Sequence, residues 1–145
     1  MMNLLVPTKP TSPPTAASRT GWGLGGAFFL AFGVFEMVEH GGTTWATGLI
    51  GALAPDIPLL FGFWGKGLAK SQLSPKVVPF YNATHHWLPP VLVIAWFSLM
   101  TETNDEAAPG FTLGVMWLAH IMVDRAFGYG PRNRAGFQRW QGDPA

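Results

Sequence analysis

Four apolar runs, residues 22–38, 45–64, 77–100 and 111–127, take up more than half of this 145-residue chain. They are 17 to 24 residues long, and a helix needs about 17–25 to cross the hydrocarbon core of a bilayer. Inside lipid every backbone donor and acceptor must be satisfied within the protein, so runs of this kind fold as helices. The charges between them are sorted by sign. Lys9 and Arg19 precede the first run, Lys66, Lys70 and Lys76 fall between the second and third, and Arg125, Arg132, Arg134 and Arg139 end or follow the fourth. The other two connections and their flanks carry Glu36, Glu39, Glu102, Asp105 and Glu106, with no Lys or Arg. The excess of Lys and Arg in cytoplasmic loops sets orientation in membranes. The expected fold is therefore all-α: a four-helix transmembrane bundle in the plasma (inner) membrane, multi-pass, with both termini and the middle loop cytoplasmic.

Only 12% of the residues are charged, about half the share of a soluble domain. The basic residues are few and sit where topology requires them, so nucleic acid is not an expected partner; the lipid bilayer is. The absence of cysteine excludes disulfides, thiolate chemistry, Cys-ligated zinc and iron–sulfur centres. Residues 1–20 contain Pro7, Pro10, Pro13 and Pro14 and lack a compact apolar run after a basic start. They read as a disordered cytoplasmic tail, not a signal peptide. Residues 21–130 form the expected membrane domain, and 131–145 a polar, arginine-rich tail on the cytoplasmic surface. Gly21 and Gly25, four apart, suit a close helix–helix approach at the start of the first helix.

Charged side chains inside a bilayer cost on the order of 3 kcal/mol or more. This chain nevertheless places Asp56 in the second run, Asn82, His85 and His86 in the third, and His120 and Asp124 in the fourth. At 1.5 Å per residue, Asp56, His85, His120 and Asp124 lie roughly 12, 12, 10 and 5 Å below the cytoplasmic face. Three helices thus deliver polar groups to one layer. His120 and Asp124 are four apart and share a helix face. Pro55, Pro58, Pro89 and Pro90 fall beside these residues. Each proline lacks a donor and releases the carbonyl four residues earlier, here those of Gly51, Ala54, His85 and His86.

Two carboxylates and two imidazoles at one depth suit a divalent cation such as Zn, Mn or Fe. The expected metal ligands are Asp56, His85, His120 and Asp124, with Asn82 and His86 as outer partners. Two metal-free readings stand beside this one. The same groups can pair as a proton relay in a small proton-coupled carrier, or they can glue helices in a structural subunit. A carrier of four helices needs to form a homo-oligomer to enclose a path, and no inverted repeat supports transport. Glu36, Glu39 and His40 read as a solvated boundary. Phe61, Phe63, Phe80, Trp87, Trp96 and Trp117 read as lipid-facing or packing residues, and Arg125 as snorkelling to headgroups.

Four stretches carry a resemblance: Leu53-Ala54-Pro55-Asp56, Tyr81-Asn82-Ala83-Thr84-His85, the segment from Trp117 through His120 and Asp124 to Arg125, and Gly128-Tyr129-Gly130 followed by Gly136-Phe137. In this order they resemble the bacterial family catalogued as domain of unknown function 4260, small four-helix membrane proteins, over residues 45–137. The resemblance selects His85 over His86, because the family motif is Tyr-Asn-x-x-His. Family members tend to carry a Glu near the start of the first helix, where this chain has Trp22-Gly23, and Thr-His after Gly-Phe, where it has Arg139-Trp140. No role passes to those two positions. The His and Asp pattern is also similar to that of bacterial inner-membrane proteins labelled metal-dependent hydrolases, an analogy of pattern alone. The leading functional expectation is an intramembrane metal-dependent hydrolase.

Overall fold

The computed structural model describes residues 11–141. These residues are helical, and among them the sole β feature is an isolated antiparallel bridge between Arg132 and Gln138. Helix α1 (Ala16–His40) begins inside the stretch expected as tail, because Thr15 caps it, its side chain accepting from Ser18 N at 3.1 Å. Residues 1–10 and 142–145, the remaining ends of the two expected tails, lie outside the described residues. At Gly41 (φ 61°) and Gly42 (φ 48°) the chain turns into helix α2 (Gly42–Leu53). Two consecutive positive φ values are accessible to glycine at little steric cost.

The second apolar run does not continue as one helix. Pro55 and Pro58 divide it into α2, a 3-10 turn at Ala54–Asp56, and helix α3 (Ile57–Gly62). The third is divided further, into α4 (Val78–Thr84) and α5 (Leu88–Met100), with His85, His86 and Trp87 between them. Pro89 and Pro90 occupy the first turn of α5, where missing donors do no harm, and the chain before them leaves the helix. The fourth run lies in α6 (Asn104–Phe127), capped by Thr103, which accepts from Glu106 N, and closed by Gly128 in the left-handed region (φ 89°).

Three stretches are long and apolar enough to cross a membrane: Ala16–His40, Gly42–Gly62 and Asn104–Phe127. Helix α5 is shorter, at 13 residues, or about 20 Å. Helix α6 is the centre of the bundle and packs against α1, α2 and α5. It supplies more buried residues than any other helix, among them Val115, Met116, Ala119 and Ile121. The other helices point large apolar side chains outward, including Leu24, Phe28, Leu53, Leu60, Phe61, Trp96 and Leu99. A surface so apolar around so small a core is that of a protein in lipid.

The face by which α1 approaches α6 is only in part the expected one. Gly21 has open space around it, whereas Gly26 and Gly33 are buried against Val123 and Met116, and Gly25 faces Met122. The tail also departs from expectation. Residues 131–138 fold back on the segment joining α3 to α4. Leu73 N donates to Gly136 O at 2.9 Å, and Arg132 Nη1 to Ser71 O and Gly136 O at 2.8 Å each. Gln72 Nε2 donates to Ala135 O. Arg132, Asn133, Phe137 and Gln138 are buried, so the tail is a docked element and not a loose surface strand. Beneath it lies a small core of Leu73, Val78 and Tyr81.

The charges separate by end. Arg19 Nε donates to Ala126 O at 2.7 Å, tying the start of α1 to the end of α6. At the other end His40 Nδ1 meets Asp105 at 2.9 Å and His40 Nε2 meets Glu36 at 3.5 Å. Of the expected solvated boundary, Glu39 is exposed whereas Glu36 and His40 are partly buried, and His40 joins the end of α1 to the exposed Asp105 at the start of α6.

Candidate metal centre

The two breaks in the helices fall at one level, and they build the site. Asp56 closes the 3-10 turn that Pro55 and Pro58 impose. His85 is the residue after α4, where the chain leaves the helix ahead of Pro89 and Pro90. His120 and Asp124 come from consecutive turns of α6. One ligand atom from each of the four lies within 4.8 Å of every other. His85 Nε2 is 3.3 Å from Asp56 Oδ1 and 3.2 Å from Asp124 Oδ2. His120 Nε2 is 3.3 Å from Asp56 Oδ1 and 3.6 Å from Asp124 Oδ2. The two Nε2 atoms are 3.4 Å apart.

The far side of each ring explains this aim. His85 Nδ1 is 2.9 Å from Tyr81 O, and His120 Nδ1 is 2.8 Å from Ala52 O. A carbonyl oxygen only accepts, so both Nδ1 atoms donate. In a neutral ring the proton is then on Nδ1, and Nε2 presents a lone pair. Two such lone pairs and two carboxylate oxygens converge with no donor among them. Four acceptors this close require a cation, or extra protons, at their centre.

Ala52 is the next-to-last residue of α2, so the acceptor that orients His120 stands at the helix break. Thr84 Oγ1 donates to Pro55 O at 3.0 Å and lies 3.1 Å from His85 Nδ1, linking the two breaks. Trp117 Nε1 donates to Thr84 O at 2.6 Å. Tyr81 stacks on the His85 ring, with centroids 3.9 Å apart. Gly51 allows α2 to lie directly on α6: a Cβ there would strike Leu113 O and crowd Trp117 N. The carbonyls that serve the site are those of Ala52, Pro55, Tyr81 and Thr84.

Sequence reasoning missed Thr84, Tyr81 and the carbonyl of Ala52, and read Trp117 as a lipid-facing or packing residue. Thr84 and Tyr81 stand in the Tyr-Asn-x-x-His stretch, which was the available signal. The two outer partners named from sequence are engaged elsewhere. Asn82 pairs both ends of its amide with the backbone of Arg132, Nδ2 to O at 2.9 Å and Oδ1 from N at 2.7 Å. It positions the tail, not an imidazole. His86 is exposed, and its Nδ1 accepts from Leu88 N at 3.1 Å, capping α5. Arg125 lies over the Trp22 ring at 5.5 Å instead of extending outward.

Burial is graded across the cluster. The His85 side chain is 1% exposed and that of Asp56 is 46% exposed. The site therefore has a closed wall at His85 and an open one at Asp56. The open wall continues into an apolar groove lined by Leu49, Ile50, Leu53, Ile57 and Leu60, in which Asp56 is the one charged residue.

No curated protein and no solved structure matches the chain. The family model described as "Domain of unknown function (DUF4260)" matches residues 24–141, a span that includes all four residues of the cluster, and the chain belongs to that family.

Proposed function

We propose that this protein is a metal-dependent hydrolase of the bacterial plasma (inner) membrane. In this reading it is multi-pass, its four apolar runs cross the bilayer, and both termini face the cytoplasm. Asp56, His85, His120 and Asp124 hold a divalent cation, with Zn, Mn or Fe as the candidates.

One observation carries the reading. Five separations between the converging ligand atoms are 3.2–3.6 Å. Ligands about 2.0–2.2 Å from a tetrahedral ion stand about 3.3–3.6 Å from one another. Both imidazoles also have their second nitrogen on a carbonyl, the arrangement that fixes the tautomer of a metal-binding histidine.

A divalent cation supplies the acidity that makes a coordinated water a nucleophile near neutral pH. Four protein ligands would close a tetrahedral ion, so a water would take the place of one carboxylate, and Asp56, the more exposed of the two, would then serve as general base instead of ligand. Asp56 would take the proton of that water as it bonds to the electrophilic centre and would pass it to the leaving group as the scissile bond breaks. His85, His120 and Asp124 hold the geometry, and the Asp56 wall is where substrate enters. Elemental analysis of detergent-purified protein tests the reading. About one divalent ion per chain is expected; a well-folded protein, prepared without chelators and free of metal, overturns it.

A further inference from the structure

The groove on the open side of the cluster contains one of the cluster's own carboxylates. Its volume is about 490 Å³, with Leu49, Ile50 and Leu53 on one side of Asp56 and Ile57 and Leu60 on the other. Asp56 is the most exposed of the four cluster residues, yet its Oδ1 stays 3.3 Å from both imidazole Nε2 atoms. One side chain therefore belongs to the reactive centre and to the groove at once.

A carboxylate that opens onto an apolar face at membrane depth is costly, and such residues mark functional places. The rest of the lipid-facing surface does not share this feature. Helix α5 turns Leu92, Trp96 and Leu99 outward and carries no charge. From Asp56 back to Leu49 the groove runs about 10 Å at about 1.5 Å per residue. A long apolar groove with one polar, reactive end matches a ligand of the same layout, an acyl chain that ends in a carbonyl. Depth selects the linkage. Asp56 lies roughly 12 Å below the cytoplasmic end of its apolar run, inside the hydrocarbon layer and beneath the headgroups. The ester carbonyl is the polar group of a lipid nearest to that depth, whereas a phosphate stays in the headgroup layer.

We propose that this groove takes the acyl chain of a membrane lipid ester, which enters sideways from the bilayer and sets its ester carbonyl at Asp56 against the cluster. This names the substrate class of the proposed hydrolase and rests on that reading. The water oxygen bonds to the carbonyl carbon, and the bond from that carbon to the alcohol oxygen breaks. Asp56 carries the proton from the water to the departing alkoxide, so the products are a fatty acid and an alcohol.

The test uses the full chain in nanodiscs of ether-linked phosphatidylcholine, a bilayer that offers no ester of its own. Nitrophenyl acetate and nitrophenyl palmitate share a leaving group and differ in chain length. Leu53→Trp and Ile57→Trp fill the groove on either side of Asp56, at positions exposed to lipid; Leu99→Trp is the control on α5. Both groove variants are expected to cleave palmitate about tenfold or more slowly, the effect of a misplaced substrate, with the acetate rate and metal content of wild type. Leu99→Trp should match wild type on both esters. Palmitate cleavage unchanged in both groove variants, or a wild type that cleaves acetate and not palmitate, overturns the proposal. A second readout does not need turnover. Palmitohydroxamic acid with a mid-chain diazirine can chelate a metal, and its N–H and O–H serve the same four acceptors where no metal is bound. Photolabelling should be enriched at residues 49–60 over Leu88–Met100, and Leu53→Trp should abolish the enrichment. Equal labelling of the two segments overturns the proposal. Enriched labelling in a protein that holds no metal and cleaves neither ester leaves the acyl site standing while the hydrolase reading falls. Metal and acetate cleavage without enrichment remove the acyl site alone.

Discussion

His85 and His120 face each other through Nε2 atoms 3.4 Å apart, while each Nδ1 donates to a backbone carbonyl, Tyr81 O for one and Ala52 O for the other. Both carbonyls stand at ends of helices that prolines interrupt. The irregular backbone and the convergent side chains are therefore one construction. Irregular backbone at membrane depth is tolerated where it is buried in protein or lines a polar cavity, and here it supplies the acceptors that turn two rings inward.

This relationship predicts a tautomer. Nitrogen NMR of the metal-loaded protein should show both rings neutral, protonated at Nδ1 and metal-shifted at Nε2. A proton shared between the rings without metal would instead place a proton on at least one Nε2. Observation of an Nε2–H on either ring in the purified protein would sink the metal reading.

Removal of ligands should separate the cluster from its neighbours. Asp56→Ala, His85→Ala, His120→Ala and Asp124→Ala should each lower the metal content measured by mass spectrometry. His86→Ala, Glu39→Ala and His40→Ala should leave it unchanged. Thr84→Val should weaken metal retention by a smaller factor, about tenfold at the lower end of what loss of a supporting contact does, because Thr84 touches His85 Nδ1 and ties it to Pro55 O.

The tail should behave as part of the fold. Asn82→Ala deletes two hydrogen bonds to the Arg132 backbone, a loss of about 1–3 kcal/mol. Hydrogen exchange over residues 131–141 should accelerate while exchange in α6 does not. Protection of the tail equal to that of wild type would show that the Asn82 pairing does not hold it.

Glycine substitutions should rank by what their Cβ meets. Gly51→Ala drives a methyl into Leu113 O across the α2–α6 contact and should cost about 1–3 kcal/mol. Gly21→Ala meets open space and should be neutral, or stabilising by about 0.5–1 kcal/mol. Thermal melts in one detergent compare them, and equal melting points would contradict the packing described for Gly51.

Orientation is open to direct test. Reporter fusions after residue 15, near residue 70 and after Ala145 should report the cytoplasm, and fusions near Gly42 and Asp105 the opposite side. A cytoplasmic signal at Asp105 would overturn the four-crossing topology. Reversal of Lys66, Lys70 and Lys76 should disturb insertion, since they are three of the nine Lys and Arg residues that set the bias.

Much of the site is legible in the sequence because its signals are local. Run length gives depth at a constant rise per residue, and the i, i+4 spacing of His120 and Asp124 places both on one helix face. Depth and face together are enough to name Asp56, His85, His120 and Asp124 as one layer. The Tyr-Asn-x-x-His stretch separates His85 from His86, and the structure places them accordingly, one buried in the cluster and the other capping α5. Prolines announce that the helices are interrupted.

What only the tertiary structure decided is the rotation and offset of one element against another. Proline arithmetic named the carbonyls of Gly51, Ala54, His85 and His86, yet Ala52 and Tyr81 hold the rings. The acceptor that an imidazole reaches depends on how α2 and α4 sit on α6. The glycine face of α1 differs by the same cause: Gly26 and Gly33, not Gly21, meet α6, because helix rotation follows the packing of the whole bundle. The return of the tail over Leu73 and Tyr81 has no periodic signal at all. It depends on single hydrogen bonds between residues 50 to 63 positions apart, and contacts of that range leave no pattern in a linear sequence.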